Sequence, residues 1–136
     1  MILDAFQNLN WLAVILAGLA YFVLGAIWYS NLLFGRQYRA ALGVTEGGGA
    51  PQAGPLIVNL VGWLVAALAM GLIATTIGVD GFAEGALLGI VAWLGFVFTH
   101  QIVNDVYQGS NMALAKINGP YNLLGFVIMG VILAVM

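Results

Sequence analysis

Four stretches of this chain are apolar for about twenty residues each, and polar residues gather almost entirely between them. The uninterrupted runs are 11–29, 56–77, 82–103 and 117–136, and none contains lysine or arginine. At about 1.5 Å of rise per residue, each run spans a hydrocarbon core of roughly 30 Å. Inside lipid every backbone N–H and C=O must find its partner within the segment, and the runs lack the two-residue alternation of a barrel strand. The pattern therefore predicts an all-α membrane protein, a four-transmembrane-helix bundle. With flanking residues included, the helices cover about 10–33, 55–77, 82–104 and 117–136 of a single transmembrane domain over 1–136.

The breaks have distinct chemistry. The first connection carries Arg36 and Arg39 on a short amphipathic stretch, stops at Gly43, and continues as a flexible loop over 43–54 with Gly47, Gly48, Gly49 and Pro51, closed by Pro55. The second is a tight turn, Gly78-Val79-Asp80-Gly81, which predicts an antiparallel hairpin. The third runs from Asn104 to Lys116. Because Arg36, Arg39 and Lys116 all fall in the first and third connections, these face the cytoplasm by the positive-inside rule, and both termini lie outside. The first run follows Asp4 where a signal peptide would have a cationic region, and it exceeds a normal h-region, so it reads as a permanent helix.

Composition removes whole classes of function. Of 136 residues, 63% are hydrophobic and 6% charged, too few charges to cover a water-facing surface. A net charge of −2 without a basic run excludes a nucleic-acid partner. The chain has no cysteine and one histidine, so thiolate chemistry, a bis-histidine haem and a metal cluster lack their parts, and no cofactor is expected. Ser30 stands at the depth of the histidine, but no third group completes a nucleophilic device, and no catalysis is expected.

Small residues recur at packing intervals: Gly18 and Gly25 in the first helix, Ala67 and Gly71 in the second, Gly85 and Gly89 in the third, Gly130 and Ala134 in the fourth. In lipid there is no hydrophobic drive between helices, so close backbone approach at such positions holds a bundle together. An unbroken 100° rotation places Gly85, Gly89, Ala92, Phe96, His100 and Tyr107 on one stripe of the third helix, directing His100 inward. Asn59 and His100 fall at similar depth, within reach of a mutual hydrogen bond. Glu84 in the first turn reads as a cap, and Asp105, opposite the stripe, as a solvated exit residue paired with a nearby cation.

Polar and aromatic groups collect at the cytoplasmic ends: Trp28, Tyr29, Asn59, Trp63, His100, Asn104, Asn118 and Tyr121, with Asn31, Thr99 and Asn122 nearby. One reading is an aromatic belt with interhelical hydrogen bonds. The other is a pocket for a lipid headgroup or small polar ligand.

The residues Asn10-Trp11-Leu12-Ala13-Val14, Gly25-Ala26-Ile27-Trp28-Tyr29-Ser30, Leu33-Phe34-Gly35 and Ala41-Leu42-Gly43 resemble the opening of an uncharacterised bacterial integral membrane family, domain of unknown function 1761 (DUF1761). Gly95-Phe96, Thr99, Asn104, Tyr107-x-Gly109, Leu114, Ile117-Asn118, Tyr121 and Met129-Gly130 resemble its closing motif, so the likeness covers nearly the whole chain. The sequence departs from that pattern at Asn31, where proline is expected, and at Asp105, where a histidine often follows the asparagine. The resemblance implies a four-helix protein of the bacterial inner membrane and brings no activity. The expected role is then a structural or accessory subunit, or an oligomeric scaffold, in contact with membrane lipids and with copies of itself or another membrane protein. The alternative is a small transporter, channel or ligand-binding protein using the polar-aromatic cluster.

Overall fold

The computed structural model describes residues 2–30, 35–42, 53–109 and 112–136; of these, the side chains of Ile2, Arg36, Arg39, Ala41, Leu42, Ala53 and Met112 are left aside. The described residues form helices and turns without a strand: α1 (Ile2–Asn8), α2 (Trp11–Trp28), α3 (Gly35–Leu42), α4 (Ala53–Ile77), α5 (Gly81–Ala92), a π-helical segment (Trp93–Phe98), α6 (Thr99–Gln108) and α7 (Met112–Val135). Four helices are long and apolar enough to cross a membrane: α2, α4, the continuous α5–π–α6 rod and α7. The fold is the all-α, four-span architecture that the hydropathy pattern predicts.

Local chemistry fixes the ends. The Asn10 side chain caps α2 by accepting from the Ala13 N–H at 3.1 Å, and its own amide donates to the Met136 carbonyl at 3.2 Å. The start of α2 and the end of α7 therefore meet at one end of the bundle. At that same end, Gly78 and Gly81 take positive φ values of 72° and 86° to turn the chain, and Glu84 accepts from the Asp80 N–H at 2.8 Å as a cap. At the other end, α6 stops at Gly109, whose φ of 65° is the left-handed C-terminal stop.

Several boundaries differ from those predicted. The loop over 43–54 lies outside the described residues except for 53 and 54, which are already helical; Asn31 also lies outside them. The third helix runs four residues beyond 104, because an amphipathic segment continues a helix as readily as an apolar one once it leaves the lipid core. The fourth begins at Met112, not at 117: Met, Ala, Leu, Ala and Lys are good helix formers and extend it backward, which leaves Pro120 inside the helix instead of in its first turn. Helix α1 was not anticipated. It packs on α4 and buries Ala5, with Leu9 following it in the core.

The tight turn reverses the chain, yet α4 and α5 share no packed seam. The hub is α7, which packs against α5, α2 and α4, while α2 also packs against α4. The α5–α7 contact is backbone on backbone: a Cβ on Gly85 would lie 2.6 Å from the Gly130 carbonyl oxygen, and one on Gly89 would collide with the Phe126 carbonyl. Ala134 abuts Gly85 at the end of the same seam nearest the C-terminus. Gly18 lies beneath Trp63 and Leu64 of α4, Gly71 beside Leu9 and Val14, and Gly25 against Tyr121, while Ala67 is fully buried. All eight small residues singled out in the sequence thus pack within one chain.

The stripe on the third helix does not survive intact. Gly85, Gly89 and Ala92 are buried, but Phe96 is 75% exposed, Tyr107 is 86% exposed and His100 is exposed. The π segment between them is the reason. A π turn holds one more residue than an α turn, so every side chain beyond it is rotated by about 100° from its α-helical direction.

Helix α5 closes on the α7 backbone at Gly85 and Gly89, so Gly89→Ala should destabilise the bundle by about 1–3 kcal/mol, as overpacking of a closed interface does. Gly62→Ala, where a Cβ meets open space, should be neutral or gain up to about 1 kcal/mol from helix propensity. Thermal unfolding in detergent, followed by far-ultraviolet circular dichroism, ranks the two.

Candidate functional site

Away from the termini, the seams are filled by aromatic rings. Tyr21 of α2 is wholly buried, stacked on Trp63 of α4 with centroids 3.7 Å apart and planes 13° apart, and edge-on to Tyr121 and Phe126 of α7 at 5.3 and 5.6 Å. Its ring lies over Gly125, where a Cβ would come within 2.6 Å of the ring carbon Cε2. Its hydroxyl donates to Asn122 Oδ1 at 2.5 Å. One turn nearer the loops, the Tyr29 hydroxyl donates to Asn118 Oδ1, and the Trp28 indole N–H donates to the Ile117 carbonyl at 3.1 Å. These bonds fasten α2 to the first half of α7, where Lys116 and Pro120 leave less apolar surface to bury.

Below this cluster the bundle opens. Because α4 and α6 are each held by α2 or α7 and not by one another, a cavity of about 960 Å³ remains between them. Helix α4 contributes Pro55, Asn59 and Trp63; the π segment and α6 contribute Phe96, Val97, His100, Gln101, Asn104, Asp105 and Gln108; α7 contributes Asn118, Tyr121 and Asn122. Tyr29 closes the α2 side, and Tyr38 of α3 stands edge-on to it at 4.7 Å. Seven of the eight residues singled out as a candidate ligand site therefore surround one space: Tyr29, Asn59, Trp63, His100, Asn104, Asn118 and Tyr121. Trp28 is the exception, turned toward the Ile117 carbonyl.

Some of these polar groups pair, as Tyr29 does with Asn118, but among the described residues no hydrogen bond crosses the cavity from α4 to α6. Asn59 and His100 are not hydrogen-bonded to each other; His100 Nε2 pairs instead with Asn104 Nδ2 on the next turn of its own helix, at 3.0 Å. The void separates the helices that a mutual bond would have to bridge. Two buried polar atoms on the lining have no hydrogen-bond partner among the described residues: Gln101 Oε1 and Asp105 Oδ2. Asp105 is thus neither a fully solvated exit residue nor on the far side of its helix; the extra residue of the π turn brings it round to the cavity.

The sequence reading passed over Tyr21, Tyr38, Gln101 and Asp105 as site residues. Gln101 and Asp105 are one turn apart, and with Gln108 they form a polar edge of α6; an unbroken rotation places Asp105 opposite the stripe and so hides that edge. For Tyr21 the signal was weaker, a lone hydroxyl in the middle of an apolar run.

The buried hydroxyl and its glycine counterpart give a direct test. Tyr21→Phe should cost about 1–2 kcal/mol by orphaning Asn122 Oδ1, whereas Gly125→Ala should cost more, because a stacked ring cannot retreat from the new methyl. Chemical or thermal unfolding of the two variants in the same micelle gives the order; equal stability of Gly125→Ala and the parent contradicts the packing.

Comparison with curated proteins and with solved structures gives no match. A family model described as a protein of unknown function (DUF1761) matches residues 12–134, nearly the entire length. The chain belongs to the DUF1761 family.

Proposed function

We propose that this protein is a ligand-binding membrane protein of the bacterial inner membrane, which receives a small polar or amphiphilic molecule in the cavity between α4 and α6. The observation that carries the reading is the lining itself. A polar cluster that served only as interhelical glue would be paired and closed, since each buried amide or imidazole is costly in lipid unless bonded. Here Asn59, His100, Asn104 and Asn118 border one void; Asn118 is tied to Tyr29 and His100 to Asn104, but Gln101 Oε1 and Asp105 Oδ2 beside them have no partner among the described residues. A concave site with aromatic walls and a few convergent polar groups is the usual form of a small-molecule site.

The scaffold reading draws less support. It would be carried by the outer helix surfaces, since the small-residue seams pack helices of one chain against each other. What remains on the exterior, such as Val58, Val65, Phe82 and Leu87, is surface that acyl chains solvate. Association with another membrane protein is not required by the ligand-binding reading, and no catalytic step is part of it.

With Lys116 and the arginine-bearing α3 at the same end as the cavity, the positive-inside rule supports a mouth toward the cytoplasmic leaflet and termini on the outer side. The chain has no native cysteine, so single substitutions report cleanly. Asn59→Cys should react with a membrane-impermeant thiol reagent in inside-out vesicles and not in right-side-out ones. Val58→Cys, 72% exposed on the adjacent face of α4, should be shielded by lipid in both. Labelling of Asn59→Cys only from the outer side contradicts the orientation, and failure to label from either side contradicts an aqueous cavity.

A further inference from the structure

Resting on that reading, we infer that the ligand of the cavity is an organic ammonium ion, a protonated amine attached to an apolar body. Asp105 bears the one charged side chain on the lining among the described residues. Its Oδ2 and the Oε1 of Gln101, one turn away, are buried acceptors without a donor. Buried acceptors are costly until a donor reaches them, and a carboxylate most of all. An ammonium group carries several N–H donors and the compensating charge on a single atom, so it answers the Asp105 carboxylate where that side chain borders the cavity.

The rest of the lining agrees in sign. Tyr29, Tyr38, Trp63, Phe96 and Tyr121 all border the space, and the faces of aromatic rings attract cations. The same rings offer an apolar wall to the ligand's body. Lys116, the one cation whose side chain is described, lies on another face of α7 against Trp93, Phe98 and Pro120 and does not border the cavity. An anionic ligand would meet the Asp105 carboxylate with no opposing cation among the described side chains on the lining, and a neutral one would leave that charge unanswered.

The test uses the full chain in lipid nanodiscs, with equilibrium dialysis of three probes of similar size: phenethylammonium, 2-phenylethanol and 3-phenylpropanoate. Protein-free nanodiscs supply the partition blank. The expected result is saturable binding of the ammonium at one per chain, at least tenfold tighter than the alcohol or the carboxylate. Asp105→Asn should weaken it tenfold or more, Asp105→Glu should retain most of it, and truncation of the exposed ring in Phe96→Ala should weaken it severalfold. Circular dichroism of each variant checks that the fold is kept.

Equal or tighter saturable binding of the alcohol or carboxylate overturns the inference while leaving the cavity a ligand site, as does ammonium binding that is indifferent to Asp105→Asn. If no probe saturates, the inference falls. The accessibility of Asn59→Cys then decides whether the ligand-binding reading falls with it: a reactive thiol preserves an aqueous cavity, and an inert one removes both.

Discussion

The backbone contact between α5 and α7 is the constraint on which the rest of this bundle depends. Gly85 and Gly89 face Gly130 and the Phe126 carbonyl so closely that no side chain fits between them. In hydrocarbon this is where association energy comes from, because a Leu-on-Leu seam gains little over Leu on lipid. The consequence is topological. With α5 committed to α7, and α4 packed chiefly against α2, the two helices joined by the shortest turn in the chain share no seam of their own.

That division leaves the space between α4 and α6, and the π segment determines what lines it. Had the helix run on without the extra residue, the stripe from Gly85 would have carried His100 into the α7 seam and left Asp105 pointing away. The inserted residue instead brings Gln101 and Asp105 to the cavity edge, beside the His100–Asn104 pair. Single π turns inside α-helices recur at functional sites for this reason, since they re-aim side chains without breaking the rod. On the opposite wall, the Tyr21–Trp63 stack and the tyrosine–asparagine bonds to α7 keep the aromatic surface in place.

Much of this was legible in the sequence, for identifiable reasons. Length and hydropathy alone dictate four spans, and Gly or Ala at four-residue intervals marks where backbones can meet. The amides, rings and histidine cluster visibly at one end of the apolar runs. What was hidden depends on geometry that no local pattern carries. Nothing in Trp93-Leu94-Gly95-Phe96-Val97-Phe98 announces a π turn, so the register of every residue beyond it was read about 100° out. The short turn at Gly78–Gly81 suggested a packed hairpin, but turn length governs where the chain reverses, while seam chemistry governs which helices touch. Met112–Lys116 reads as a loop because the apolar run begins at Ile117, although the five residues before it favour helix.

The central claim is that glycine-mediated packing on α7 holds α4 and α6 apart, so that water or a ligand occupies the gap. Water-edited solid-state nuclear magnetic resonance of the protein in lipid bilayers tests it most directly. The account predicts water contacts at the side-chain amides of Asn59, Asn104 and Asn118, and acyl-chain contacts at Val58 and Val65. Dry amides, with through-space contacts joining Asn59 to His100 across a closed α4–α6 seam, would contradict it.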